Sequence, residues 1–256
     1  MNILLTNDDG IHAKGLWAME KALSGEHQTT VVAPDAERSA VGHSITLIHP
    51  LRVNKIQTNG GWGHAVSGTP ADCVKLAVLE ILEARPDLVV SGINPGPNVG
   101  VNLNYSGTVS AAKEAALIGI PAIAVSQSPN PDLGYDAAAK FVAILIAKIM
   151  ENGLPEGTFL NVNVPACSPD QIKGIRITKQ GISRLKEAFL KRTDPRKQTY
   201  FWQGTETQMF DQDMDTDGAV LCRNYISITP IQCDMTDYQS MDNLRSWDIP
   251  LTKLTT

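Results

Sequence analysis

Ile3-Leu4-Leu5-Thr6-Asn7-Asp8-Asp9-Gly10 opens the chain with a short apolar run that ends abruptly in an amide, two carboxylates and a glycine. An amphipathic pattern from Ala13 to Leu23 follows and stops near Gly25. A second apolar run, Thr30-Val31-Val32-Ala33, is closed by Pro34. Buried strand, helix, buried strand is a unit that pairs its strands in parallel and lays the helix on one face. The pattern recurs in Asp87-Leu88-Val89-Val90-Ser91, a helix from Thr108 to Leu117 ending at Gly119, a run from Ile120 to Val125, and a helix from Asp136 to Met150. Repetition of this kind predicts an α/β fold, with a mainly parallel sheet and helices on both of its faces.

Between these units lie strand-like stretches at Ser44 to Leu47 and Leu51 to Ile56. Thr69-Pro70-Ala71-Asp72 reads as a helix start, with Thr69 as N-cap, Pro70 in the first turn and Asp72 reaching back. That helix is predicted to run to about Glu83, with Val74, Ala77, Val78 and Ile81 on its apolar face. After Phe159 the pattern changes to strands at Leu160 to Val164, Gly174 to Lys179, Thr199 to Gln203 and Val220 to Thr229. Residues 1–158 are therefore expected to form the α/β core. Residues 159–256 are expected to supply the last core strands and a strand-rich extension of the same domain.

Composition narrows the function by exclusion. Of 256 residues, 43% are hydrophobic and 19% charged, an ordinary globular balance that excludes a disordered chain. A formal charge of −5 gives no general attraction to a nucleic-acid polymer. The four cysteines, Cys73, Cys167, Cys222 and Cys233, never fall at a CxxC spacing, so neither a zinc ribbon nor a thioredoxin-like motif is present. Carboxylates at Asp8 and Asp9 interrupt any leader-like apolar region, and the apolar stretch from Phe141 to Ala147 is too short to span a bilayer. A cytoplasmic location without membrane attachment is the expectation.

Ligands of doubly wound sheets sit beyond the carboxyl ends of the strands, so the residues after each apolar run are the candidates. Asp8 and Asp9 fit a simple Asp-Gly turn, yet two adjacent carboxylates also suit a hard divalent cation, with Ser39 and Asn94 able to complete an oxygen shell. Gly92, Gly96, Gly100 and Gly107 space a loop whose backbone can approach a ligand. Ser106-Gly107-Thr108 leads into a helix whose N-terminus suits an anion, most naturally phosphate. Turn glycines with Thr108 as a plain N-cap are the alternative there. No Gly-Lys-Ser/Thr follows, which excludes a Walker loop.

Other motifs fail on inspection. Asn7-Asp8-Asp9 lacks the Asp-x-Asp of haloacid-dehalogenase phosphatases, and Ser91-Gly92 stands where a response-regulator receiver needs its phosphoacceptor aspartate. Asp213, Asp215, Asp217 and Gly218 imitate the start of an EF-hand loop, but Asn224 occupies the position that requires glutamate. A solvated acidic turn between strands is expected instead. His12 and His43 lie near the candidate loops, where either could assist proton transfer, and are read mainly as surface or hydrogen-bonded loop histidines. Arg184, Lys186, Lys191, Arg192, Arg196 and Lys197, broken by Glu187 and Asp194, read as an exposed face or flexible loop, with attraction of an anionic substrate as the lesser alternative. The four tryptophans, Trp202 beside Tyr200 and Phe201 among them, could make a base-stacking surface, but most are expected in core or interface packing.

Taken together, the motifs resemble the SurE survival-protein family of metal-dependent nucleotidases. The likeness rests on Ile3 to Ile11, on Val32-Ala33-Pro34-Asp35 with Arg38-Ser39-Ala40, and on Gly42-His43-Ser44-Ile45-Thr46. It continues through Gly68 to Val74, Ser91-Gly92-Ile93-Asn94 with Gly96-Pro97-Asn98, Tyr105-Ser106-Gly107-Thr108-Val109, Gly157 to Pro165, and Tyr225 to Pro230. The resemblance implies a Rossmann-like three-layer α/β/α core and a C-terminal extension exchanged within a homodimer or tetramer. It implies one Mg2+ or Mn2+ ion on Asp8, Asp9, Ser39 and Asn94, and phosphate contacts from Asn98, Ser106, Gly107 and Thr108. The implied reaction is hydrolysis of nucleoside 5′- or 3′-monophosphates, with short-chain polyphosphate as a possible further substrate. Asp8, Asp9, Asn98 and Ser106 are the expected catalytic residues. Asn102 and Ala115 depart from the family pattern, where an acidic residue and a glycine are usual. A non-catalytic nucleotide- or phosphate-binding regulator is the competing function.

Overall fold

The computed structural model describes residues 1–182, 185–186, 189–203, 207–208, 213 and 215–247. The first unit forms as its pattern requires: β1 (Asn2–Thr6), α1 (Lys14–Leu23) and β2 (Gln28–Pro34), with β1 and β2 parallel. β3 (Val53–Gln57) and β4 (Trp62–Val66) pair antiparallel, and β4 joins β2 in parallel. Then come α2 (Pro70–Leu76), β5 (Leu88–Pro95), α3 (Gly107–Leu117), β6 (Ala122–Gln127), α4 (Asp136–Asn152) and β7 (Thr158–Val164). β8 (Ile175–Ile177) is followed by four extension strands, β9 (Leu185–Lys186), β10 (Phe189–Thr193), β11 (Thr199–Gln203) and β12 (Thr207–Gln208). α5 (Asp217–Leu221), β13 (Ile226–Gln232) and α6 (Tyr238–Arg245) complete the order.

Nine strands form one sheet in the order β3-β4-β2-β1-β5-β6-β7-β13-β8, parallel except at β3–β4 and β7–β13. Apolar side chains alternate between its two faces. Ile3 and Leu5 of β1 pack into a core with Leu16, Met19 and Leu23 of α1 and Val142 and Ile146 of α4. Leu4 points the other way, into a core with Cys73 and Val74 of α2 and Ala111, Ala112 and Ala115 of α3. Each large aliphatic chain buried in this way stabilises the fold by roughly 1.5–3 kcal/mol, and burial on both faces explains why continuous apolar runs rather than alternating ones mark these strands. The three-layer α/β/α architecture expected from the sequence is the one observed. Gly15 sets how closely α1 rides on the sheet, since a Cβ there would lie 2.0 Å from the Ile93 carbonyl oxygen.

Several local expectations change. The Ser44 to Leu47 stretch is irregular, while β4 forms from Trp62-Gly63-His64-Ala65-Val66, a poor strand sequence that takes its pairing from β2 and β3. The helix begun at Thr69 has the expected reciprocal cap with Asp72, but it loosens into a wider turn over Ala77–Ile81 instead of running to Glu83. Val220 and Leu221 belong to α5 rather than to a strand. β5 runs through Gly92-Ile93-Asn94, so Asn94 sits on the sheet's edge and not in a free loop.

The extension strands pair antiparallel, β10 with β11 and β9 with β12. Phe189, Leu190, Phe201 and Trp202 are exposed on β10 and β11, and α6 has no buried residue. Core packing is therefore excluded for Trp202, and Trp62 and Trp247 are exposed as well. Lys191, Arg192, Arg196 and Lys197 lie on this exposed arm and its turn, whereas Arg184 and Glu187 fall outside the described residues. No described helix is long and apolar enough to cross a membrane.

Candidate functional site

β1 and β5 are neighbours at the centre of the sheet, and the chain leaves them in opposite directions, toward β2 on one side and β6 on the other. That reversal opens a crevice at the carboxyl edge. A cleft of ≈ 590 Å³ lies there, lined by Asp8, Asp9, Glu37, Ser39, Asn94, Asn98, Asn102, Tyr105, Ser106 and Gln203 among others. Six expected site residues are thus brought together from four separate segments.

Asp8 is buried at 5% exposure, and burial pushes its carboxyl above the usual range. The Thr108 hydroxyl donates to its Oδ1, and the Gly107 and Thr108 N–H groups also favour its charged form. The first turn of α3 is therefore aimed at Asp8, where its positive end offsets the cost of a buried carboxylate. Gly107 and Thr108, expected at the phosphate, both contact Asp8, and Thr108 is fully buried. The contact is close enough to demand glycine, since a Cβ on Gly107 would lie 2.6 Å from Asp8 Cβ. The N-cap of α3 is Ser106, not Thr108: Ser106 Oγ accepts from Val109 N at 3.1 Å, which leaves its hydroxyl proton available on the cleft side.

Asp9 is pushed up to about 7, first by burial and then by the neighbouring charges of Asp8 and Glu37. Its buried Oδ2 has no hydrogen-bond partner. Ser39 donates its hydroxyl to Glu37 Oε1 at 2.6 Å, so its oxygen lone pairs stay available. Asn94 Nδ2 is tied to the Gly96 carbonyl at 2.6 Å, which leaves Oδ1 as the free end. Among the described residues no group of three His, Cys, Asp or Glu side chains is arranged to hold a metal. Two carboxylates with neutral hydroxyl and amide oxygens instead suit a hard ion that keeps some of its water. Crowded acidic charge and an orphaned carboxylate oxygen fit such an ion.

Asn98 is held on all sides. Its N–H donates to Asn163 Oδ1 at 2.8 Å and its Nδ2 to Ser126 Oγ at 2.8 Å. Its carbonyl accepts from Asn161 Nδ2 at 2.8 Å and Asn163 Nδ2 at 2.9 Å. Asn161 and Asn163 received no role from the sequence, although two asparagines alternating with valines in a buried strand required buried partners. Glu37 and Gln203 were likewise not singled out. His43 does not line the cleft; its Nε2 lies 2.8 Å from Glu114 Oε2, and Lys75 reaches the other oxygen at 3.2 Å. His12 is exposed and also outside the lining. Asp217, expected in a solvated turn, is 1% exposed and binds three backbone N–H groups.

A mainly parallel sheet that gathers paired aspartates, neutral oxygen donors and a capped helix end at its switch point defines a doubly wound α/β protein with a polar strand-end cleft. Comparison with known proteins narrows this class. The family model described as survival protein SurE matches residues 3–187. A protein named 5'-nucleotidase SurE from Desulfatibacillum aliphaticivorans is 59% identical over 253 residues, covering 97% of this chain and 99% of that one. Another of that name from Syntrophobacter fumaroxidans is 50% identical over 250 residues, covering 97% and 100%. The crystal structure of the SurE protein from Aquifex aeolicus superposes with a TM-score of 0.84 at 40% identity, over 96% of this chain and 98% of that one. The chain belongs to the SurE family.

Proposed function

We propose that this protein is a metal-dependent nucleotidase that hydrolyses nucleoside 5′-monophosphates to nucleoside and inorganic phosphate. The observation that carries the reading is the acidic pair, with Asp9 Oδ2 orphaned, set beside Asn98 and Ser106 in one cleft. Relatives named 5'-nucleotidase at up to 59% identity support the substrate class. Asp8, Asp9, Ser39 and Asn94 would hold Mg2+ or Mn2+. Such an ion supplies Lewis acidity at a phosphate oxygen and makes water a better nucleophile at neutral pH.

The chain's own groups do the rest. Asn98 and Ser106 direct donors at the oxygens that gain charge as the phosphoryl group transfers. Asp9 Oδ2, free of protein partners, accepts the proton of the attacking water. Asp8 is fixed by Thr108 and α3, so the acidic pair keeps one geometry. Pro95, Pro97, Asn102, Tyr105 and Gln203 form the outer wall and face the nucleoside. An amide at Asn102, in place of the family's acidic residue, lowers repulsion toward the substrate. Recognition centred on the phosphate extends the substrates to 3′-monophosphates and short-chain polyphosphate.

The exposed aromatic arm and α6 support a homodimer or tetramer with exchanged C-terminal segments. The described cysteines are free thiols, which supports a cytoplasmic location. The test is release of inorganic phosphate from a nucleoside-monophosphate panel, with and without chelator. Metal-dependent release is expected. Saturable nucleotide binding without release in either condition would establish the regulator instead.

A further inference from the structure

Asp217 lies far from Asn98 in sequence and outside the cleft lining, yet it grips the loop that carries Asn98. Its Oδ2 accepts from Gly100 N at 2.9 Å, and its Oδ1 accepts from Gly181 N at 3.0 Å and Gly218 N at 2.8 Å. Gln180 Nε2 donates to the Gly100 carbonyl at 2.7 Å, so both polar backbone groups of Gly100 are held by residues outside the loop. Gly100 has a positive φ of 59°, and Val99, between it and Asn98, is fully buried. Displacement of Gly100 is therefore passed to Asn98 with little slack.

The same carboxylate closes a clasp at the base of the extension. Lys179 N donates to the Asp215 carbonyl at 2.8 Å and Asp217 N to the Lys179 carbonyl at 3.0 Å, which joins the outgoing and returning ends of the arm. Burial raises the Asp217 carboxyl, and the Gly100, Gly181 and Gly218 N–H groups oppose that rise. A neutral amide keeps only one acceptor oxygen and cannot serve all three donors.

We propose that Asp217 is a positioning residue of the cleft, which through Gly100 fixes the loop bearing Asn98 and ties that loop to both ends of the C-terminal extension. The inference rests on the nucleotidase reading for its kinetic test. Asp217→Asn is expected to lower kcat for nucleoside-monophosphate hydrolysis roughly tenfold, a decade less than the loss from a full 1 Å misplacement. KM and Mn2+ affinity should stay within about twofold, because Asp8 and Asp9 lie on the separate β1 edge. In an Asn98→Ala background the same substitution should leave kcat unchanged. A purely structural role would reduce kcat by the same factor in both backgrounds, and that result overturns the proposal, as does wild-type kcat in Asp217→Asn.

If Asp217→Asn does not fold, Gln180→Ala, at an exposed residue, takes its place in the cycle. A loss of about threefold that vanishes in Asn98→Ala supports the clasp, and unchanged kcat overturns it. If the wild-type protein releases no phosphate from any nucleotide, the nucleotidase reading fails separately. Amide hydrogen exchange then decides the clasp: protection of Gly100 should fall at least about tenfold in Asp217→Asn, and unchanged protection refutes it.

Discussion

Gly107→Ala adds one methyl group at the first residue of α3, where local propensity and tertiary contact predict opposite outcomes. Alanine is the better helix former by about 1 kcal/mol, so propensity alone predicts a more stable helix. The added carbon would lie 2.6 Å from Asp8 Cβ and 2.9 Å from Asp8 Oδ2. Carbon atoms settle at about 3.5–4.0 Å, so Asp8 and α3 must separate by about 1 Å. The clash is with Cβ rather than a flexible tip, and it therefore moves the end of β1 or the first turn of the helix. Overpacking of this kind costs about 1–3 kcal/mol, which equals or exceeds the propensity gain. A 1 Å error in a reacting group costs about a hundredfold in rate, or roughly 2.7 kcal/mol of activation free energy. Phosphate release at saturating Mn2+, a Mn2+ titration and thermal melting measure the three effects. The expected result is a large fall in kcat, weaker ion binding and an unchanged or lower Tm. Gly96→Ala is the control, since its added carbon would meet nothing nearer than Asn94 Nδ2 at 3.7 Å. Wild-type turnover in Gly107→Ala with a raised Tm would show that α3 does not press on Asp8.

Asp9→Asn should remove nearly all turnover yet raise the Tm measured in chelator, because an ionised Asp9 is disfavoured by burial and by Asp8 and Glu37; a lower Tm in chelator would contradict that. Gln203→Ala should raise KM for nucleoside monophosphates several-fold while leaving ribose 5-phosphate hydrolysis nearly unchanged. Equal effects on both substrates would remove Gln203 from the nucleoside wall. Glu114 is held below its usual range chiefly by His43, with Lys75 adding to the effect. Its contribution to stability is therefore full above about pH 4.5 and is lost as pH falls through the lowered folded value. Acid melts of wild type and Glu114→Gln should converge at low pH, and a constant gap between them would refute this assignment.

Much of the site was legible because its chemistry is local. Asp8 and Asp9 follow a buried strand directly, Asn94 ends another, and Ser106 precedes a helix, so strand-end logic alone places them on one edge. Thr108 was legible as a site residue, but its bond to Asp8 was not, since nothing local indicates that the α3 N-terminus points at a residue about a hundred positions earlier. Asn161 and Asn163 were hidden because a polar residue in a buried strand has no sequence signature that identifies its partner. Asp217 was misread for the same reason, as its run of aspartates looks solvated until Gly100 and Gly181 approach it. β4 formed against its own propensity, and Phe189, Leu190, Phe201 and Trp202 of the arm stay exposed among the described residues.

By itself the sequence determined the α/β class, the order of most core elements and the carboxylate, amide and hydroxyl residues that end the strands. Those features depend on periodicity and on groups within a few residues of one another. The tertiary structure alone decided that Asp9 keeps an orphaned oxygen, that Gly107 and Thr108 pack on Asp8, and that Asp217 bonds to Gly100 beside the Asn98 loop. Each of these depends on burial and on contacts between distant segments. A carboxylate's charge, reach and partners are set by what the fold brings beside it, and no local pattern encodes that.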